Sequence, residues 1–287
     1  MRTMSSAVSM TDEEFRLIRD QVYAYCGIYL PESVKYLVER RLQPRLAFNG
    51  LESFRDYHRL LKYSDSAAEF DEIVERVTTN ETYFFREAYQ LRAFTDEVLP
   101  ELTANVAPRD RIRVWSAGCS TGEEPYSIAM LLEEAAAAHG HQFDIFGNDI
   151  SKKVLRSARE ALYRPSAFRQ TESYYIERYF AKEGSHYRLN EEIRNKVTFG
   201  HMNLMDKKAL SLVGNVHALF CRNVMIYFAK ESREELLETF YKKLRPGGYL
   251  FLGHSESLIN LSTEFELVPL QNDIVYRKPK SRASTDG

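Results

Sequence analysis

The chain has 287 residues, 44% of them hydrophobic and 28% charged, with a formal net charge of −2. That length and balance fit an ordinary globular protein with room for two domains, and the near-neutral charge gives no sign of a nucleic-acid binder. No apolar run reaches the length of a membrane span, and the polar N-terminus lacks a signal-peptide core.

The first part reads as helices. Phe15, Ile18, Val22 and Tyr25 fall at helical spacing after Thr11 and Asp12, which can cap. Val34, Leu37, Val38, Leu42 and Leu46 form a second stripe, Tyr57, Leu60 and Leu61 a third, and Phe70, Ile73, Val74 and Val77 a fourth. No strand pattern precedes residue 111, so a helical domain over about 10–85 is expected. From Ile112 the pattern alternates strand and helix, the mark of a parallel sheet covered on both faces. Strands are expected at Ile112–Ser116, Phe143–Asn148, Val197–His201, Ala218–Cys221 and Tyr249–Leu252, with antiparallel ones near Phe265–Pro269 and Ile274–Arg277. Helices are expected at Pro125–His139, Lys152–Glu160 and Lys230–Leu244, the last stopped by Arg245-Pro246-Gly247-Gly248. This second domain spans about 86–280. Within it a Tyr-, Arg- and Glu-rich insertion, about 170–198, reads as a small appendage with a turn at Glu183-Gly184-Ser185-His186. The ends, up to about Ser9 and from about Lys280, are expected to be loose.

The most informative stretch is Arg111 to Ile128, RIRVWSAGCSTGEEPYSI. It is strand, small-residue turn, helix, an arrangement that holds nucleotide-like cofactors at the carboxyl end of a parallel strand. The turn lacks phosphate-binding spacing and carries Glu123 and Glu124 instead, so a ligand with positive charge and no phosphates fits better. Gly118-Cys119-Ser120-Thr121-Gly122 formally matches a G-x-S-x-G nucleophile elbow, with His254 as a base. That fold needs an oxyanion donor after an earlier strand, and everything upstream is helical, so the hydrolase reading is disfavoured. A GxGxxG dinucleotide site fits poorly, since only the first and fifth positions are glycine.

Asp149 ends the second strand, where a carboxylate can accept both hydroxyls of a ribose or cap the next helix; beside the first turn, the ribose role is favoured. In Thr78-Thr79-Asn80-Glu81-Thr82-Tyr83-Phe84-Phe85-Arg86-Glu87, two readings stand. Thr78 and Glu81 have capping-box spacing and the aromatics suit a core, while Asn80, Thr82 and Arg86 can reach a cofactor cleft. Arg222 and Asn223 follow a buried strand and are either satisfied core groups or ligand contacts, with Tyr227 one helical turn beyond. The seven histidines are scattered without ligand spacing, so no metal is expected. The three widely spaced cysteines read as reduced thiols of a cytosolic protein.

Taken in order, TTNETYFFRE, VWSAGCSTGEEPYSIA, NDIS, NLMD, CRNVMIYF and LRPGGYLFLGHSE resemble the chemotaxis receptor methyltransferases of the CheR family, from about Phe15 to Lys278. The resemblance implies a helical N-terminal domain and a Rossmann-like, S-adenosylmethionine-dependent methyltransferase domain with a small antiparallel β-subdomain. It implies a monomeric cytoplasmic enzyme that methylates glutamate side chains on the helical domain of bacterial chemoreceptors, leaving S-adenosylhomocysteine. By motif, Asn80, Thr82, Arg86, Glu124, Asp149, Asn203, Leu204, Arg222 and Asn223 would contact the cofactor, and Arg86 and Tyr227 would lie near the transferred methyl. The segment Ala181–Leu189 is shorter than in relatives that dock a receptor's C-terminal pentapeptide, so tether-independent recognition is expected. Between Lys35 and Lys62 seven Lys/Arg stand against three acids, a surplus that either meets an acidic receptor helix or is a solvated helix face. The alternative of a different class is a non-catalytic adaptor that binds the cofactor only to dock partners; Arg86, Asp149, Arg222 and Tyr227 together argue against it.

Overall fold

The computed structural model describes residues 8–63, 67–78, 81–107 and 109–280. By contact density the chain divides into two units, Met1–Thr79 with Tyr227–Ser232, and Asn80–Ile226 with Arg233–Gly287.

The first unit holds helices α1 (Asp12–Cys26), α2 (Lys35–Phe48), α3 (Phe54–Tyr63) and α4 (Ala67–Val77). Thr11 starts α1 with a full capping box: its side chain accepts the Glu14 N–H, and the Glu14 carboxylate accepts the Thr11 N–H. Gly27, in the left-handed region at φ 72°, ends it. Phe15, Ile18, Val22, Val38, Leu42, Leu46, Tyr57, Leu61, Ile73 and Val74 are buried, as the spacing predicts. Leu37 is not; it is 39% exposed beside the exposed Tyr36. Helix α2 continues through Pro44, because its Leu42 and Leu46 lie in the core and packing outweighs propensity. The segment Tyr227–Ser232 joins this unit through a bridge from Phe228 to Ile28 and a bond from the Tyr29 N–H to the Tyr227 carbonyl at 2.9 Å.

The basic stretch of this unit is largely spent internally. Arg45 is buried, grips Glu69 from Nε at 2.9 Å and reaches Glu72 at 3.2 Å. Lys35 pairs with Asp12, Arg55 with Glu13 and Arg59 with Asp56, while Arg41 donates to the Val77 carbonyl. Most of these acceptors lie outside the 35–62 window. Over residues 10–79 ten Lys/Arg stand against thirteen Asp/Glu, so the unit as a whole is not basic.

The second unit opens with α5 (Ala88–Arg92), a π-helical turn (Ala93–Val98) and α6 (Leu99–Asn105), three short pieces that apolar spacing alone does not separate. Its main sheet is built from β1 (Arg111–Ala117), then α7 (Glu123–His139), β2 (Gln142–Asp149) and α8 (Lys152–Glu160). A small sheet follows, from β3 (Leu162–Tyr163), α9 (Ser173–Tyr179), β4 (Phe180–Glu183) and β5 (His186–Leu189), closed by α10 (Glu191–Arg194). The chain then returns to the main sheet through β6 (Val197–His201), α11 (Lys207–Ser211), β7 (Val216–Cys221), α12 (Lys230–Lys243), β8 (Leu244–Leu252), β9 (Glu266–Pro269) and β10 (Ile274–Arg277).

The main sheet runs β6-β2-β1-β7-β8-β10-β9, parallel as far as β8 and antiparallel at β10 and β9. Side chains alternate along β1, so Val114 joins the core cluster with Ile128 and Ala129 of α7, while Trp115 meets Phe240 of α12 edge-on at 5.5 Å. The two helices thereby cover opposite faces. Strand order reverses at β1 and β7, and the crevice beyond their carboxyl ends is where open α/β sheets bind ligands. The small sheet, order β3-β5-β4, takes in Leu162–Tyr163, upstream of the expected 170. It seats on Phe84, whose ring stacks on Phe168 at 5.2 Å and meets Tyr163 and Phe180 edge-on at 4.7 and 5.1 Å.

Candidate active site

The turn after β1 carries three residues in the left-handed region: Gly118 (φ 78°), Ser120 (φ 49°) and Gly122 (φ 92°). A side chain at Gly118 would fall 2.5 Å from Val224, and one at Gly122 3.0 Å from Ala158, so both positions require glycine. The N–H groups of Gly118 and Cys119 both donate to the Asn148 carbonyl, and that of Ser120 to Asp149 Oδ2 at 2.9 Å. Asp149 Oδ1 accepts the Ser151 N–H at 2.9 Å. Asp149 therefore fastens the turn to β2 and still has lone pairs for a ligand. Ser151, not Asp149, caps α8, which resolves that alternative. Asn148, fully buried, accepts from Trp115 Nε1 at 2.7 Å and donates to the Met202 carbonyl, bringing Asn203 and the buried Leu204 to the same end of the sheet.

Acidic groups gather at the turn. The buried Glu123 carboxylate accepts from Thr121 Oγ1 at 2.7 Å and also takes a hydrogen bond from Thr82. Burial pushes its pKa up to about 7. Glu124 accepts from Ser116 Oγ at 2.6 Å and pairs with Arg222 at 3.4 Å; burial raises its pKa, with Arg222 opposing. Burial likewise raises Asp149, against its backbone N–H bonds. Arg222, its side chain only 2% exposed, also reaches Glu87 at 3.2 Å and donates to the Arg86 carbonyl. One arginine thus ties the loop after β7 to the turn after β1 and to the segment 82–87. Arg86 donates from Nη1 to the Glu81 carbonyl at 2.7 Å.

Phe85 (φ 56°), Glu87 (φ 52°), Ser120 and Asn223 (φ 58°) are non-glycine residues in the left-handed region, and all lie on these loops. Such conformations persist where the surroundings over-determine them, characteristically at ligand sites. Ser120 Oγ, Arg222 Nε and Asn223 Oδ1 are buried and lack a hydrogen-bond partner among the described residues. Unmet polar atoms at one end of a sheet, amid surplus carboxylates, fit a polar ligand bearing positive charge. No histidine bonds Ser120 among the described residues; the His254 ring nitrogen faces Tyr89 at 3.5 Å, so no nucleophile–base pair exists there. No cluster of metal-ligating side chains is present among the described residues.

Thr82, Glu124, Asp149, Asn203, Leu204, Arg222 and Asn223 all sit on these segments of the second unit. Tyr227 falls in the first unit and Arg86 in the second; Asn80 lies outside the described residues. Glu87, Glu123 and Glu256 also lie on or hold these loops, and the sequence alone does not single out Glu87 or Glu256. Glu123 had a signal, as half of the acidic pair in the turn. Glu87 and Glu256 had none beyond their place in the quoted blocks.

Residues 80–274 match the family described as CheR methyltransferase, SAM binding domain, and residues 13–78 match the CheR methyltransferase, all-alpha domain. The chain belongs to the CheR methyltransferase family. It is 36% identical over 282 residues to chemotaxis protein methyltransferase 2 of Vibrio cholerae, covering 97% of both chains. It is 37% identical to the chemotaxis protein methyltransferase of Salmonella typhimurium, covering 98% of this chain and 95% of that one. The Escherichia coli protein of the same description is 36% identical, covering 92% and 91%. As a CheR protein the chain is a methyltransferase whose second unit binds S-adenosylmethionine, and the cationic-ligand reading of the turn agrees. No helix among the described residues is long and apolar enough to cross a membrane.

Proposed function

We propose that this chain transfers the methyl group of S-adenosylmethionine to glutamate carboxylates on the cytoplasmic helical domain of bacterial chemoreceptors, acting as a monomer in the cytoplasm and without a receptor C-terminal tether. The observation that carries the reading is the acidic, partly unsatisfied turn set between β1 and β7, in a chain that matches chemotaxis methyltransferases along both units. S-adenosylmethionine, when bound, supplies an electrophilic methyl on a sulfonium. Asp149 would hold the ribose hydroxyls with its remaining lone pairs. Glu123 and Glu124 complement the cationic groups, while Asn80, Thr82, Arg86, Asn203, Leu204, Arg222 and Asn223 complete the contacts.

The acceptor needs little activation. A glutamate with a pKa of about 4.3 is already ionised near neutral pH. Its oxygen would take the methyl that the bound cofactor supplies, and the electron pair of the broken C–S bond would leave with sulfur. No strong base is required; Arg86 and Tyr227 orient the carboxylate and exclude water. The two-residue turn Gly184-Ser185 between β4 and β5 supports recognition without the tether, because the hairpin offers little surface for a peptide. Incubation with methyl-labelled cofactor and receptors, intact or lacking their last residues, followed by peptide mapping, tests this. Label on glutamates in both receptors is expected. Label on neither refutes the activity, and label on intact receptors alone refutes tether independence.

A further inference from the structure

The loop that leaves β7 is held by a carboxylate thirty residues further along. Glu256 Oε2 accepts the N–H groups of Asn223 and Gly253, each at 2.7 Å, and Oε1 those of Val224 at 3.0 Å and Ile226 at 3.2 Å. A carboxylate has about four acceptor sites, and here every one is filled by a backbone donor. No lysine or arginine pairs with it among the described residues, so peptide dipoles alone balance the charge.

Of the three residues that this clamp holds in the loop after β7, Asn223 has the shortest bond. It sits in the left-handed region at φ 58°, which Asn tolerates better than most residues but still at a cost. The end of β8 closes on it from the other side. A side-chain carbon at Gly253 would fall 2.7 Å from both Asn223 N and Nδ2, and 2.8 Å from Glu256 Oε2. Glycine at 253 and the carboxylate at 256 therefore fit around the Asn223 amide as one socket. What the socket leaves over is Asn223 Oδ1, buried and without a donor among the described residues. An isolated buried acceptor of this kind is destabilising unless something supplies the missing N–H.

We infer that Glu256 is a positioning residue for cofactor binding: with Gly253 it holds Asn223 so that Oδ1 stays open for an N–H donor of the ligand, either the adenine amine or the methionyl ammonium. This rests on the proposed cofactor role of Asn223. S-adenosylmethionine and S-adenosylhomocysteine share both donors, so both ligands depend on the socket. Glu256→Gln keeps the shape but turns one acceptor into a donor facing N–H groups. Gly253→Ala disturbs the same amide and leaves the carboxylate intact.

The experiment is calorimetry with S-adenosylhomocysteine on the full chain, with Trp115 fluorescence and circular dichroism checking the fold. Each variant is expected to weaken the ligand at least tenfold while remaining folded, and to raise KM for S-adenosylmethionine more than it lowers kcat. In an Asn223→Gly background, Glu256→Gln should add less than twofold, because its effect passes through Asn223. A folded Glu256→Gln or Gly253→Ala protein with affinity within twofold of wild type overturns the inference. So does a Glu256→Gln loss that persists in full without Asn223. If neither variant folds, Glu256 serves the fold and not the ligand, and the inference is wrong. A wild type that binds nothing overturns the cofactor reading itself, an outcome distinct from unaffected variants of a wild type that binds.

Discussion

Glu123→Gln should stabilise the second unit, by an amount that grows as pH rises from 4.5 to about 7 and then levels off. The Glu123 carboxyl is buried at the start of α7, and its pKa is raised from the usual 4.5 to about 7 by loss of water, with the Thr121 and Thr82 hydroxyls only partly compensating. Because the folded value lies above the unfolded one, the native state binds more protons between pH 4.5 and about 7. Stability therefore falls as pH rises through that window. A tenfold change in proton affinity is worth about 1.36 kcal/mol, so the ionised side chain costs about 3 kcal/mol at pH 8 relative to its neutral form. Gln reproduces the neutral form at every pH. The variant should then exceed wild type by up to about 3 kcal/mol at pH 8 and match it near pH 4.5. Trp115, the single tryptophan, is buried in β1, so its fluorescence in urea reports this unit specifically. The difference between variant and wild type at two pH values cancels every other titrating group. Equal ΔΔG at pH 5 and pH 8, or a variant less stable than wild type at pH 8, refutes the argument. The gain should carry a functional loss, since removing a carboxylate from the turn weakens attraction for a cationic cofactor.

Other outcomes follow from the same contacts. Asp149→Ala should weaken S-adenosylmethionine and S-adenosylhomocysteine alike, by roughly tenfold or more, because the ribose is common to both and the Ser120 and Ser151 N–H groups lose their acceptor; calorimetry with the two ligands checks this. Arg45→Glu should destabilise the first unit by about 3–5 kcal/mol, since it sets a third carboxylate against Glu69 and Glu72. Circular dichroism in urea is the readout, and reduced receptor methylation by that variant would report unfolding, not docking. Tyr227→Phe should lower the single-turnover rate on the order of tenfold, and a normal rate would remove the hydroxyl from the reaction. A fluorophosphonate probe should leave Ser120 unlabelled, as no base bonds its hydroxyl among the described residues.

Glu69 of the first unit and Glu123 of the second answer acid in opposite senses, and the reason shows what a sequence can and cannot display. Burial pushes Glu69 up, but Arg45 and the Tyr57 hydroxyl outweigh it and hold its pKa below the usual 4.5. Its contribution is therefore present above 4.5 and lost as pH falls through the lowered folded value. Glu123 has no such cation and moves the other way. Both are glutamates in helical stretches, indistinguishable by periodicity, and only the partner tells them apart. The elements themselves were legible, because local spacing writes them: Val197–His201 and Ile274–Arg277 fall where alternation places them, and Thr11 caps α1 where its box is spelled out. The turn after β1 was legible for the same reason, since its glycines and acids are consecutive. Long-range pairing was not. Nothing near residue 45 announces Glu69 or Glu72, and a surplus of positive charge counted along 35–62 vanishes once Asp12, Glu13, Glu69 and Glu72 fold against it. Glu256 escaped for the same reason, as its partners in the loop after β7 are backbone N–H groups 30 to 33 residues away, which carry no letter of their own. Charge counted along a window is thus a statement about the unfolded chain. A docking surface must be argued from what remains unpaired after folding, which in α2 points to Arg40, exposed and without an ion pair among the described residues, as the position to reverse when testing electrostatic recognition of a receptor.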